Sequence, residues 1–83
     1  MSIRLDDKAR DEITTANGKR VLVDTQYVPF PFGYGYETMV FRVRKDGSLD
    51  AMNPLDKRSY GEDKESAEAW HTEYINKYIK ATI

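Results

Sequence analysis

The sequence predicts an α+β domain: an antiparallel three- to four-stranded sheet with a C-terminal amphipathic helix packed on one face. Three observations carry that expectation. Residues 36–43, Tyr-Glu-Thr-Met-Val-Phe-Arg-Val, concentrate β-branched and aromatic types between Gly35 and Gly47, the composition of a strand. From Asp63 onward, Ala67, Trp70, His71, Tyr74, Ile75, Tyr78 and Ile79 recur at i, i+3, i+4, i+7, i+8, i+11 and i+12, the stripe of an amphipathic helix. Asn17-Gly18 separates two β-prone runs, a strong short-range hairpin signal.

Taken in order, residues 1–12 are charged, and Leu5, Ala9 and Ile13 have helical spacing; the stretch reads either as a short helix or as a frayed terminus. The β-sheet region spans 13–60. A two-residue Asn-Gly closure sets Thr15 opposite Arg20 and Ile13 opposite Leu22. The strand begun at Lys19 runs to about Tyr27. Val21, Val23 and Tyr27 share one parity and Leu22 and Val28 the other, so either face can be the buried one. Residues 28–35, Val-Pro-Phe-Pro-Phe-Gly-Tyr-Gly, interrupt the sheet as an extended aromatic loop, because proline cannot donate a ladder hydrogen bond. In the strand 36–43, parity puts Met39, Phe41 and Val43 on the core side with Glu37. It turns Tyr36, Thr38, Val40, Arg42 and Arg44 outward. Asp46-Gly47 makes a second turn, residues 49–52 offer a short partner strand, and 55–60 read as irregular. The helix spans 63–80 with Asp63 as its cap, acids early and lysines late, as the helix dipole favours.

All 83 residues fit a single domain, small enough that each large apolar side chain matters. A net charge of −1 and a pI near 5.8 give no global pull toward nucleic acid or membrane. With no cysteine, disulfides, thiolate nucleophiles and thiolate metal sites are excluded. No apolar run approaches the ~20 residues of a membrane span, and no leader pattern opens the chain. A cytoplasmic protein without cofactor is the expectation.

The run Tyr36-Glu37-Thr38-Met39-Val40-Phe41, then a polar turn, Tyr60, an acidic helix start and Ala67-Glu68-Ala69-Trp70-His71, resembles a group of small uncharacterised phage and prophage proteins. Those carry an aromatic-Glu-Thr-Met-Val-Phe strand followed by an acidic, Ala-rich helix containing His. Trp70 stands where Gly is usual in that group. The resemblance covers about half the chain and implies origin in a phage or mobile element, with host cytoplasm as the compartment. It implies no activity.

Several residues carry chemistry. His71 is the only histidine; with Glu37 on the core-side parity, the two make a candidate buried polar pair. No nucleophile accompanies them and no ligand set suits a metal, so catalysis is not expected. Phe30, Phe32, Tyr34 and Tyr36 form the candidate partner-binding surface, for another protein or a second copy of the chain, against the plainer reading that these rings cap a small core. Arg42, Arg44 and Lys45, with Lys19 and Arg20 at the first turn, form a candidate basic patch for nucleic acid. Gly33-Tyr34-Gly35 lacks the Lys-Ser/Thr ending of a phosphate loop. The expected function is a small non-enzymatic protein-binding module of phage or mobile-element type, and the alternative is weak nucleic-acid binding through the basic strand face.

Overall fold

The computed structural model describes residues 8–31 and 33–83; Phe32 and the Phe30 side chain lie outside the described residues, as does the expectation of a helix or frayed end for 1–7. Four strands, β1 (Lys8–Thr14), β2 (Arg20–Phe30), β3 (Gly33–Arg42) and β4 (Asp56–Gly61), precede one helix, α1 (Lys64–Ile79). The strands lie in chain order, every neighbour antiparallel, and α1 packs across one face. The α+β class and the C-terminal helix are as the sequence predicts.

Several local expectations are corrected. Residues 8–12 are strand, not helix: Ala9, Asp11 and Ile13 pair with Thr25, Val23 and Val21. Lys8, Arg10 and Glu12 alternate with them, which suits an edge strand that must not invite further pairing. The first turn is one residue longer than a type I′ closure. Thr14 faces Arg20, Ile13 faces Val21, and only Gly18 has a positive φ (81°). Asn17 is otherwise engaged, accepting from the Thr15 hydroxyl at 2.6 Å and donating to the Ile83 carbonyl at 2.7 Å. That single step decides which β2 residues accompany Ile13.

Residues 28–35 do not break the sheet. Phe30 pairs with Gly33 and Pro29 with Tyr34. Among the described residues, β1 reaches only Gln26 on the other side, so within them the prolines sit on an arm of two strands, where an edge tolerates them. Residues 55–60 are not irregular either, since β4 begins at Asp56; Leu49 forms only an isolated bridge with Val43.

The buried face of β3 is the reverse of the parity expectation. Val23 pairs with Val40 and Thr25 with Thr38, and these fully buried residues lie under α1. Met39 and Phe41 occupy the opposite face. The core joins Val21, Val23 and Val40 to Tyr74 and Tyr78, with Ile13, Leu55, Ile75, Ala81 and Ile83 packed around it. Each buried valine contributes about 1.5–3 kcal/mol.

Asp63 caps α1 by accepting from the Ser66 N–H at 3.0 Å and its hydroxyl at 2.7 Å. Ala67, His71, Tyr74 and Tyr78 are the buried helix positions. Trp70 and Ile79 flank this narrow stripe and are 37% and 46% exposed, because a helix on an open sheet touches it along one line. Arg58 stacks 3.6 Å from the Trp70 ring centroid and its Nε donates to the Tyr74 hydroxyl. No helix among the described residues is long and apolar enough to cross a membrane.

Candidate functional site

Three places bring polar or aromatic chemistry together. The first lies beneath the helix. His71, fully buried, has Nε2 2.7 Å from Asp11 Oδ2 and Nδ1 2.7 Å from Thr25 Oγ1. Thr25 Oγ1 lies 2.6 Å from Thr38 Oγ1, which accepts from the Tyr60 hydroxyl at 3.0 Å. Each secondary-structure element contributes one side chain. The hydrogens follow from donor capacity. A carboxylate only accepts, so Nε2–H donates to Asp11, and in the tautomer protonated at Nε2 alone, Nδ1 accepts from the Thr25 hydroxyl. Thr25 has then used its proton, so the Thr38 hydroxyl donates to Thr25 and Tyr60 donates to Thr38. In that tautomer the row runs one way, from Tyr60 at one edge of the sheet to Asp11 at the other. Burial pushes the Tyr60 phenol above its usual value.

An Asp–His–hydroxyl order is also that of acyl-transfer triads. Here the hydroxyl belongs to Thr25, which has no exposed surface and is bonded on two sides. No substrate carbonyl reaches it in this conformation.

The proposed Glu37–His71 pair does not form. Glu37 shares parity with Met39 and Phe41, so it stands on the face opposite the helix with the sheet between. There it meets Lys57 Nζ at 3.8 Å and the Ser59 hydroxyl at 3.5 Å, beside a shallow groove of about 120 Å³ lined also by Asp24, Gln26, Val28 and Met39. The histidine's partners, Asp11 and Thr25, were not among the sequence candidates. The signal for Thr25 was the shared parity of Val21, Val23 and Thr25. For Asp11 it was the alternation of Ala9, Asp11 and Ile13, masked by an equally good helical spacing.

The second place is the arm of β2 and β3. Tyr27 and Tyr34 stack with ring centroids 5.6 Å apart at 12°, and Tyr36 tilts against Tyr27 at 4.8 Å. Tyr34 is 59% exposed and Tyr27 37%, while Tyr36 is half-buried. Pairing forces the grouping, since Tyr27 faces Tyr36 and Pro29 faces Tyr34 on one side of the ladder. The Tyr27 hydroxyl donates to Glu62 at 3.2 Å; partial desolvation and the Glu62 carboxylate raise its pKa. Of the candidate partner-binding residues, Tyr34 and Tyr36 come together here with Tyr27.

The third place is at the opposite end of the sheet. Lys19, Arg20, Arg44 and Lys45, with Gly18 and Val43, line a cleft of about 380 Å³. The bond from the Val43 N–H to the Arg20 carbonyl brings the two basic pairs side by side. Arg42 does not line the cleft; it pairs with Val21 on the helix-bearing side, exposed at the end of that row.

No protein-family model matches this chain, nor does any curated protein or any solved structure.

Proposed function

We propose that the chain is a small protein-binding module of phage or mobile-element type, acting without catalysis, and that it engages its partner through the tyrosine arm. The carrying observation is the stack of Tyr27 and Tyr34, two rings left 37% and 59% exposed on a two-stranded arm. Rigid aromatic rings give large contact area at low entropic cost, which is why tyrosine dominates binding hot spots. The core does not require these rings: it is built from Val21, Val23, Val40, Tyr74 and Tyr78. The strand 36–43 and the acidic helix start, which resemble the phage and prophage group, support the assignment of type.

A Tyr27→Ala, Tyr34→Ala double variant tests the reading. Expected is a variant folded by circular dichroism that no longer retains, on an affinity matrix, proteins that the wild type captures from host lysate. Recovery of the same proteins by both chains overturns it. Light scattering on both chains covers the case in which the partner is a second copy, which doubles the wild-type mass and leaves the variant monomeric.

A further inference from the structure

We propose that the cleft between the first turn and the turn at 44–48 binds a ligand carrying two or more linked phosphates. The site lies at the end of the sheet away from the tyrosine arm and is independent of it. Two loops make it, each turning on a glycine with positive φ, Gly18 (81°) and Gly47 (88°). Thr15 N–H bonds the Lys19 carbonyl in one, and Arg44 N–H bonds the Ser48 carbonyl in the other. Each loop presents a dibasic pair, Lys19-Arg20 and Arg44-Lys45, and the backbone bond from Val43 to Arg20 fixes their separation.

The four cations are not equivalent. The arginines are held in place: Arg20 Nη2 donates to Glu12 at 3.0 Å. Arg44 donates to the Ser48 hydroxyl, the Leu49 carbonyl and Asp50. Their anchors use only part of the five-donor fork, so each guanidinium keeps donors while its position is set in advance. Lys19 and Lys45 form no ion pair among the described residues. Among the described residues, no carboxylate lines the cleft. Asp46, in the same turn, folds back to accept from the Ser48 N–H at 3.0 Å and hydroxyl at 2.7 Å.

Fixed forks beside mobile ammonium groups suit an anion with several oxygens, because guanidinium matches phosphate geometry and lysine adds charge. A volume of about 380 Å³ falls at the low end of the range for small-ligand sites, which suits a diphosphate better than a lone anion. Linked phosphates occur in free polyphosphates and nucleotides and along a nucleic-acid strand, and the chemistry recognised is the same.

The test is an amide NMR titration at low salt with pyrophosphate, and in a separate arm with a short single-stranded oligonucleotide. It uses the wild type and a Lys19→Ala, Lys45→Ala variant, whose altered side chains are exposed and outside the core. Expected are saturable shifts at Gly18, Lys19, Lys45 and Gly47, weakened at least tenfold in the variant and by added salt. Tighter binding of the oligonucleotide by tenfold or more identifies a nucleic-acid strand as the source, and equal or weaker binding identifies a small phosphate ligand. Absence of saturable shifts in both arms, or equal affinity of wild type and variant, overturns the proposal.

Discussion

The two faces of this sheet are similar in apolar content, yet only one carries the helix. Beneath α1 lie Val21, Val23 and Val40 with Thr25 and Thr38, none with exposed surface. The other face holds Leu22 and Phe41, at 9% and 7% exposure, among the half-buried Asp24, Gln26, Glu37 and Met39. Larger apolar side chains therefore sit on the face without the helix. The helix-bearing face instead offers a level floor of small β-branched side chains, onto which Ala67 and His71 settle closely, and hydroxyls placed to meet the imidazole. Shape and hydrogen-bond complementarity decide the docking, and hydrophobicity alone does not.

Removing the imidazole gives the largest expected effect. His71→Ala leaves Thr25 without its acceptor and opens a cavity under the helix; the two terms together predict a loss of about 3 kcal/mol in urea denaturation. On the opposite face, Leu22→Ala deletes only apolar contacts of a side chain already at the margin of burial, with an expected loss of about 2 kcal/mol. If His71→Ala costs less than Leu22→Ala, the polar row does not fix the helix and the contrast between the faces collapses.

Much of this was legible in the sequence, and the part that was not has a physical cause. The helix from Asp63 and the strand at 36–43 are readable because period and composition agree. The direction of the strand's faces is not readable from β3 alone. Parity groups Met39 with Phe41 and Thr38 with Val40 but does not say which group meets the helix. The threonines look like solvent-facing residues until His71 supplies their partners. Asp11 escapes because helical and strand spacing fit residues 5–13 equally well. Tyr34 and Tyr36 were readable as a binding candidate, whereas Tyr27 joins them only through pairing across the arm. Lys19, Arg20, Arg44 and Lys45 gather as the two turns suggest, but Arg42 does not, because it pairs with Val21 within the ladder, short of the turns.

A second contrast concerns how the helix is tied at the β4 edge. Asp56 accepts from Lys77 Nζ and from the Tyr78 hydroxyl, both at 2.7 Å. Partial burial alone would raise the carboxyl's pKa, but the bonds from Lys77 and Tyr78 outweigh it and hold the group below its ordinary value of 3.8. Burial and the same carboxylate push the Tyr78 phenol up. A depressed carboxyl stabilises the fold fully above its unfolded value and loses that contribution as pH falls through the folded one. Asp56→Asn should therefore be less stable than wild type at pH 7, with the gap narrowing below about pH 4. Denaturation midpoints across that range decide it; a gap that stays constant would place the clamp elsewhere.

The smallest expected change tests whether polar satisfaction is general under the helix or special to the His71 row. Thr72 follows His71 in α1, and its Oγ1 is buried without a hydrogen-bond partner among the described residues. An unmet hydroxyl costs free energy that an isosteric methyl does not. The somewhat stiffer rotamer of valine in a helix offsets little of that gain. Thr72→Val should therefore raise stability by up to about 1 kcal/mol, whereas Thr25→Val, one strand away, removes a hydroxyl bonded on two sides and should lower it. Opposite signs for two chemically identical substitutions would show that the row from Tyr60 to Asp11 is a specific feature of this face. A loss at both positions would mean that Thr72 has a partner of its own and that the helix-bearing face satisfies its polar groups throughout.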